Sequence, residues 1–131
     1  MDGGPNWAYN YVDSPIIVNE ASDEFYKNPM YYGLAHFSKF LPEESFRIHS
    51  DVTGYDADRI LVFLKIAMMI SLYNNYFSIQ SCAFERPDGG LVVIVTNQHV
   101  DQTIRIKLET EVNISESITI GPQSVHSFIW N

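Results

Sequence analysis

Gly3-Gly4-Pro5-Asn6-Trp7 is followed, two residues on, by Asn10-Tyr11-Val12-Asp13-Ser14-Pro15-Ile16-Ile17-Val18. The two glycines permit backbone angles that other residues avoid, and Pro5 stiffens the backbone beside them. Trp7, Tyr9, Asn10 and Tyr11 place aromatic and amide groups on a short irregular segment. Ser14-Pro15 then imposes an extended approach to the apolar run Ile16-Ile17-Val18. Aromatic faces can stack on the C–H faces of a pyranose and amides can bond its hydroxyls, so the segment suits a sugar site. The residues alone fit an ordinary packed loop as well.

Outward from this stretch, Asn28-Pro29 reads as a helix start, with Asn28 as N-cap and Pro29 in the first helical position. Met30, Leu34, Phe37 and Leu41 recur at helical spacing, and Pro42 ends the helix. Ser22 and Asp23 offer a cap for a preceding turn over Glu24–Lys27. Beyond Phe77 the pattern is β. Phe77–Glu85 leads into the turn Pro87-Asp88-Gly89-Gly90, and Leu91–Val95 reads as a central strand. Ile104, Ile106 and Leu108 alternate with charged residues, Ile118–Ile120 adds a short strand, and Gly121-Pro122 turns the chain. Val125–Trp130 closes it, with His126, Phe128 and Trp130 on one side. Short strands at this spacing indicate a β-sandwich.

The blocks GGPNW (3–7), NYVDSPIIV (10–18) and FYKNPMYYGLAHFSKFLP (25–42) together resemble the C-terminal region of the lysosomal glucosylceramidases of glycoside hydrolase family 30. The resemblance resumes at PDGG (87–90) and runs through SVHSFIW (124–130). It implies an α+β fold: the last βα piece of a (β/α)8 barrel, followed by antiparallel β-sandwich strands. The divisions are residues 1–44 (barrel tail), 45–76 (linker plus an atypical apolar insert) and 77–131 (sandwich strands). Phe46-Arg47-Ile48 fits the start of a strand.

The resemblance also implies a retaining β-glucosidase that hydrolyses glucosylceramide to glucose and ceramide. Two carboxyl groups about 5 Å apart perform such a reaction. In the family one sits in an Asn-Glu-Pro motif and the other on a later barrel strand, both before the matched region. Glu20 follows Asn19 but precedes Ala21 rather than proline, and it reads as a solvated loop residue. Glu43, Glu44, Asp56 and Asp58 have no motif support. No catalytic residue is therefore assigned. Asn10 matches an asparagine that lines the family's glucose pocket and is the single substrate-binding candidate. The parent would work at lysosomal membrane surfaces with a saposin-type activator protein and without a cofactor. The 131 residues alone would be inactive.

The residues 60–73, Ile60 to Tyr73, have no counterpart in the family pattern. This run is shorter than the roughly twenty residues a membrane-spanning helix needs and contains Lys65. It reads either as a buried helix or as a mis-assembled coding segment. A non-catalytic sandwich that binds carbohydrate or protein, or a product with no function of its own, are the competing functional readings.

Composition limits the choices further. Apolar residues make up 46% of the chain, enough for one modest core. A formal charge of −8 argues against nucleic-acid binding. Cys82 is the single cysteine, so no internal disulfide can form. His36, His49, His99 and His126 lack metal-ligand spacing, and no metal is expected. Met1-Asp2-Gly3 lacks the apolar run of a secretory signal, so either the signal a lysosomal parent needs lies upstream or this product does not enter the secretory pathway. Asn113-Ile114-Ser115 is a glycosylation sequon.

Overall fold

The computed structural model describes residues 14–56, 59–65, 78–109 and 115–130, and the chain divides into two compact units, residues 1–38 and 39–131. In the first unit, strand β1 (Ile16–Asn19) pairs antiparallel with β2 (Glu24–Lys27). A single 3-10 turn, Glu20–Ser22, joins them, and Asp23 completes the reversal in the left-handed region at φ 53°. The expected helical turn over Glu24–Lys27 is thus a strand. Phe25 and Tyr26 favour extended backbone, and Phe25 pairs across with Val18. Lys27 lies over the rings of Phe25 and Tyr31, at 5.7 and 4.8 Å from their centroids.

Helix α1 spans Pro29–Ser38. It starts where the sequence places it, because the missing N–H of Pro29 costs nothing in the first turn. It ends earlier than Leu41. Pro42 disfavours helical angles at the residue before it, and Lys39-Phe40 form a turn instead. Met30, Leu34 and Phe37 are exposed on α1.

The second unit is a folded sheet of seven strands in the order β8-β7-β4-β3-β5-β6-β9. The strands are β3 (Phe46–Asp56), β4 (Arg59–Lys65), β5 (Ile79–Glu85), β6 (Leu91–Asn97), β7 (Ile104–Glu109), β8 (Ile118–Ile120) and β9 (Ser124–Trp130). Strand β3 belongs to both wings. Phe46–Ile48 pair with β5, and from His49 onward the strand pairs with β4, with a bulge between Gly54 and Asp56. The wings close on one another over a shared core. Ile79, Ala83, Val93 and Val95 come from one wing, and Ile106, Leu108 and Ile120 from the other. This is the β-sandwich expected from the alternation.

The apolar run that read as a buried helix is strand β4 over Arg59–Lys65, while residues 66–73 lie outside the described residues. It runs antiparallel to β3 and parallel to β7, with Val62 opposite Val52 on one side and Leu108 on the other. Its neighbours β3 and β7 take up backbone hydrogen bonds along both of its edges.

The hairpin between β5 and β6 shows the turn chemistry predicted from Pro87-Asp88-Gly89-Gly90. Gly89 adopts φ +80°, and its N–H donates to the Arg86 carbonyl at 2.9 Å. Asp88 accepts from the Gly90 N–H at 3.0 Å and pairs with the Arg86 guanidinium. Val92–Val95 are all buried, as the central-strand reading requires. Among the described residues no helix is long and apolar enough to cross a membrane.

Candidate functional site

The geometry nearest the substrate-binding candidate begins at Ser14, since Asn10 lies outside the described residues, as do Gly3–Trp7. The Ser14 hydroxyl donates to the Ile16 carbonyl. The side-chain amide of Asn28 donates to the Ser14 carbonyl at 2.7 Å, and the Asn28 backbone N–H donates to the Pro15 carbonyl at 3.0 Å. Asn28 therefore grips two consecutive carbonyls at the end of the segment that carries Asn10. Its side chain does not cap α1 as expected. The Tyr31 N–H goes to the main-chain carbonyl of Asn28 instead, at 2.9 Å. Sequence reasoning missed this clamp because an N-cap and a loop anchor both call for asparagine.

The carboxylates sit apart from any such grip. Glu20 is exposed on the 3-10 turn, and its neighbour Asn19 spends its amide on the Ser22 hydroxyl at 3.2 Å. Glu43 and Glu44 are exposed before β3, and Asp58 lies outside the described residues. Glu24 accepts the Tyr26 hydroxyl proton at 2.6 Å, and that bond raises the phenol above its ordinary value of 10.0. Among the described residues no three His, Cys, Asp or Glu side chains converge as metal ligands.

In the sandwich, β9 carries the expected aromatic row. His126 and Phe128 stack at 6.2 Å, and Phe128 tilts against Trp130 at 6.5 Å. The row runs beside β6 in the same sheet, where His126 pairs with Val95, Phe128 with Val93 and Trp130 with Leu91. Asn97, at the end of β6, is buried with every polar group of its side chain bonded. Its amide donates to the carbonyls of Gln102 and Gly121, both at 2.8 Å, and its oxygen accepts from the His99 N–H at 3.1 Å. A lone asparagine after an apolar run carries no signal for this role beyond ending the strand.

Comparison with known proteins gives the two units a common origin. Residues 1–41 match the glycosyl hydrolase family 30 TIM-barrel domain, and residues 66–128 match the glycosyl hydrolase family 30 beta sandwich domain. The chain is 36% identical over 129 residues to lysosomal acid glucosylceramidase of Mus musculus, covering 98% of this chain and 21% of the mouse protein. A Caenorhabditis elegans protein is 35% identical over 128 residues, covering 98% of this chain and 20% of its own length. The chain thus spans about a fifth of the length of the curated relatives it matches. The crystal structure of SrfJ from Salmonella typhimurium superposes with a TM-score of 0.70 at 23% identity, over 98% of this chain and 24% of that one, which shows a shared fold. With barrel and sandwich matches following one another in a single polypeptide, the chain belongs to glycosyl hydrolase family 30.

Proposed function

We propose that this chain is the C-terminal portion of a glucosylceramidase-like retaining β-glucosidase, which hydrolyses glucosylceramide to glucose and ceramide. The observation that carries the reading is the 36% identity to mouse lysosomal acid glucosylceramidase across 98% of the chain. The acid/base and nucleophile carboxyl groups belong to the earlier part of the barrel and work as a pair about 5 Å apart. Asn10 contributes to the glucose pocket, at the barrel face where such sites are built. The parent acts in the lysosome at a membrane surface, with a small activator protein and no cofactor.

A hybrid enzyme tests this. The matching C-terminal segment of the mouse enzyme is replaced by these 131 residues. Release of a fluorescent aglycone from a β-glucoside is then measured at acid pH. The hybrid turns over, and Asn10→Ala lowers kcat/KM by about tenfold or more, the scale of a lost positioned hydrogen bond. The chain by itself gives no turnover above a buffer blank. A folded but inactive hybrid, or turnover by the chain alone, overturns the proposal.

A further inference from the structure

We propose that the Lys39–Phe40 peptide bond is a proteolytic processing site, cut by an endopeptidase that selects lysine, and that residues 40–131 leave the cut as a folded sandwich. The chain divides into its two compact units at this point, after Ser38. Helix α1 ends there, and Lys39 and Phe40 form a turn on which Lys39 is exposed. The backbone stays irregular until β3 begins at Phe46, and Pro42, Glu43 and Glu44 are exposed along it. A protease binds its substrate as an extended strand, so the cleaved bond must lie in backbone that leaves the fold at little cost. No residue of α1 is fully buried, so its last turn can unwind without opening a core.

The placement of the chain's eight basic residues gives this bond its selectivity. Six of the others lie in strands: Lys27 in β2, Arg47 in β3, Arg59 and Lys65 in β4, and Arg105 and Lys107 in β7. Each is held in a ladder, Lys27 opposite Ile16, Arg47 opposite Phe84, Arg59 opposite Asp56, Lys65 opposite His49, Arg105 opposite Thr119 and Lys107 opposite Leu61. Arg86 is tied to Asp88 in the β5–β6 hairpin and is followed by Pro87, whose ring removes the N–H on the leaving side of the bond. Lys39 alone stands outside strand and hairpin. Its ammonium lies 5.5 Å from the Phe40 ring, a contact that is weak at an exposed site.

The reaction is hydrolysis. Water adds to the Lys39 carbonyl carbon, the bond to the Phe40 nitrogen breaks, and the products are a Lys39 carboxylate and a Phe40 ammonium. The core survives because its whole cluster lies beyond the cut, from Ile48 and Val52 to Phe128 and Trp130. None of this depends on the glycosidase reading.

The test treats the full chain with a trace of trypsin in native buffer and follows the products by intact mass. The first products are residues 1–39 and 40–131, and 40–131 persists about tenfold longer than the uncut chain. Lys39→Gln lengthens the life of the uncut chain about tenfold, while Lys39→Arg, which trypsin also accepts, stays within about twofold of the parent. Circular dichroism of both variants matches the parent, since Lys39 is exposed. A first cut after any other basic residue overturns the inference, and that result is read on the unsubstituted chain whatever the variants do. A Lys39→Gln chain cut as fast as the parent also overturns it, as does a 40–131 product degraded as fast as it forms.

Discussion

The amide of Asn97 donates to the carbonyl of Gly121 at 2.8 Å, joining the end of β6 to the turn that leads into β9. The same amide holds the Gln102 carbonyl. Asn97→Ala leaves two carbonyls and the His99 N–H without this partner. We expect a loss of about 3 kcal/mol in stability. A shift of the urea midpoint at constant m-value checks it. A loss below about 1 kcal/mol would show that water replaces the carboxamide.

The β5–β6 turn depends on its glycines for different reasons. At Gly89 the cost of a side chain is conformational, since φ is +80°. Gly89→Ala should cost about 1 kcal/mol. At Gly90 the cost is contact: an added Cβ would stand 2.9 Å from the Trp130 carbonyl, which is backbone and cannot simply rotate away. Gly90→Ala should cost about 1–3 kcal/mol and disturb the β6–β9 pairing. Thermal unfolding of the two variants ranks them.

Strand β4 supplies backbone pairing to both β3 and β7. Val62→Pro should remove a ladder hydrogen bond in the middle of the sheet and strongly weaken cooperative unfolding. Far-ultraviolet circular dichroism through a denaturant titration reads this out. A variant that unfolds like the parent would show that Arg59–Lys65 is dispensable to the sheet.

Cys82 gives the sandwich a pH dependence on the alkaline side. Burial pushes its thiol above the ordinary 9.0, and the nearby Arg47 guanidinium partly opposes this. The folded state holds the proton more tightly than the unfolded state. The contribution is therefore complete below pH 9 and is lost as pH rises through the folded value. Stability of the parent should decline more steeply above pH 9 than that of Cys82→Ala. Alkylation of the native thiol by iodoacetamide at pH 8 should be slower than in urea.

Much of this architecture could be read from residue order. The alternation Ile104, Ile106, Leu108 placed β7, and Pro87-Asp88-Gly89-Gly90 placed the hairpin. The hidden parts are those where one pattern serves two structures. Ile60–Leu64 is apolar without a period, so helix and strand fit equally, and only its neighbours β3 and β7 decide. Ser22-Asp23 resembles a cap, yet Asp23 turns left-handed and closes a hairpin. Asn28 and Asn97 act through partners distant in sequence, at Ser14 and Gly121, which no local pattern reveals.

The parallel match of β4 with β7 carries a cost during synthesis. Ile60-Leu61-Val62-Phe63-Leu64 emerges from the ribosome with β3 available but β7 still untranslated, and one edge of a greasy ribbon stays open meanwhile. Such nascent surfaces attract chaperones or one another. Yield of this polypeptide in cells should therefore track holdase supply more closely than its equilibrium stability would suggest.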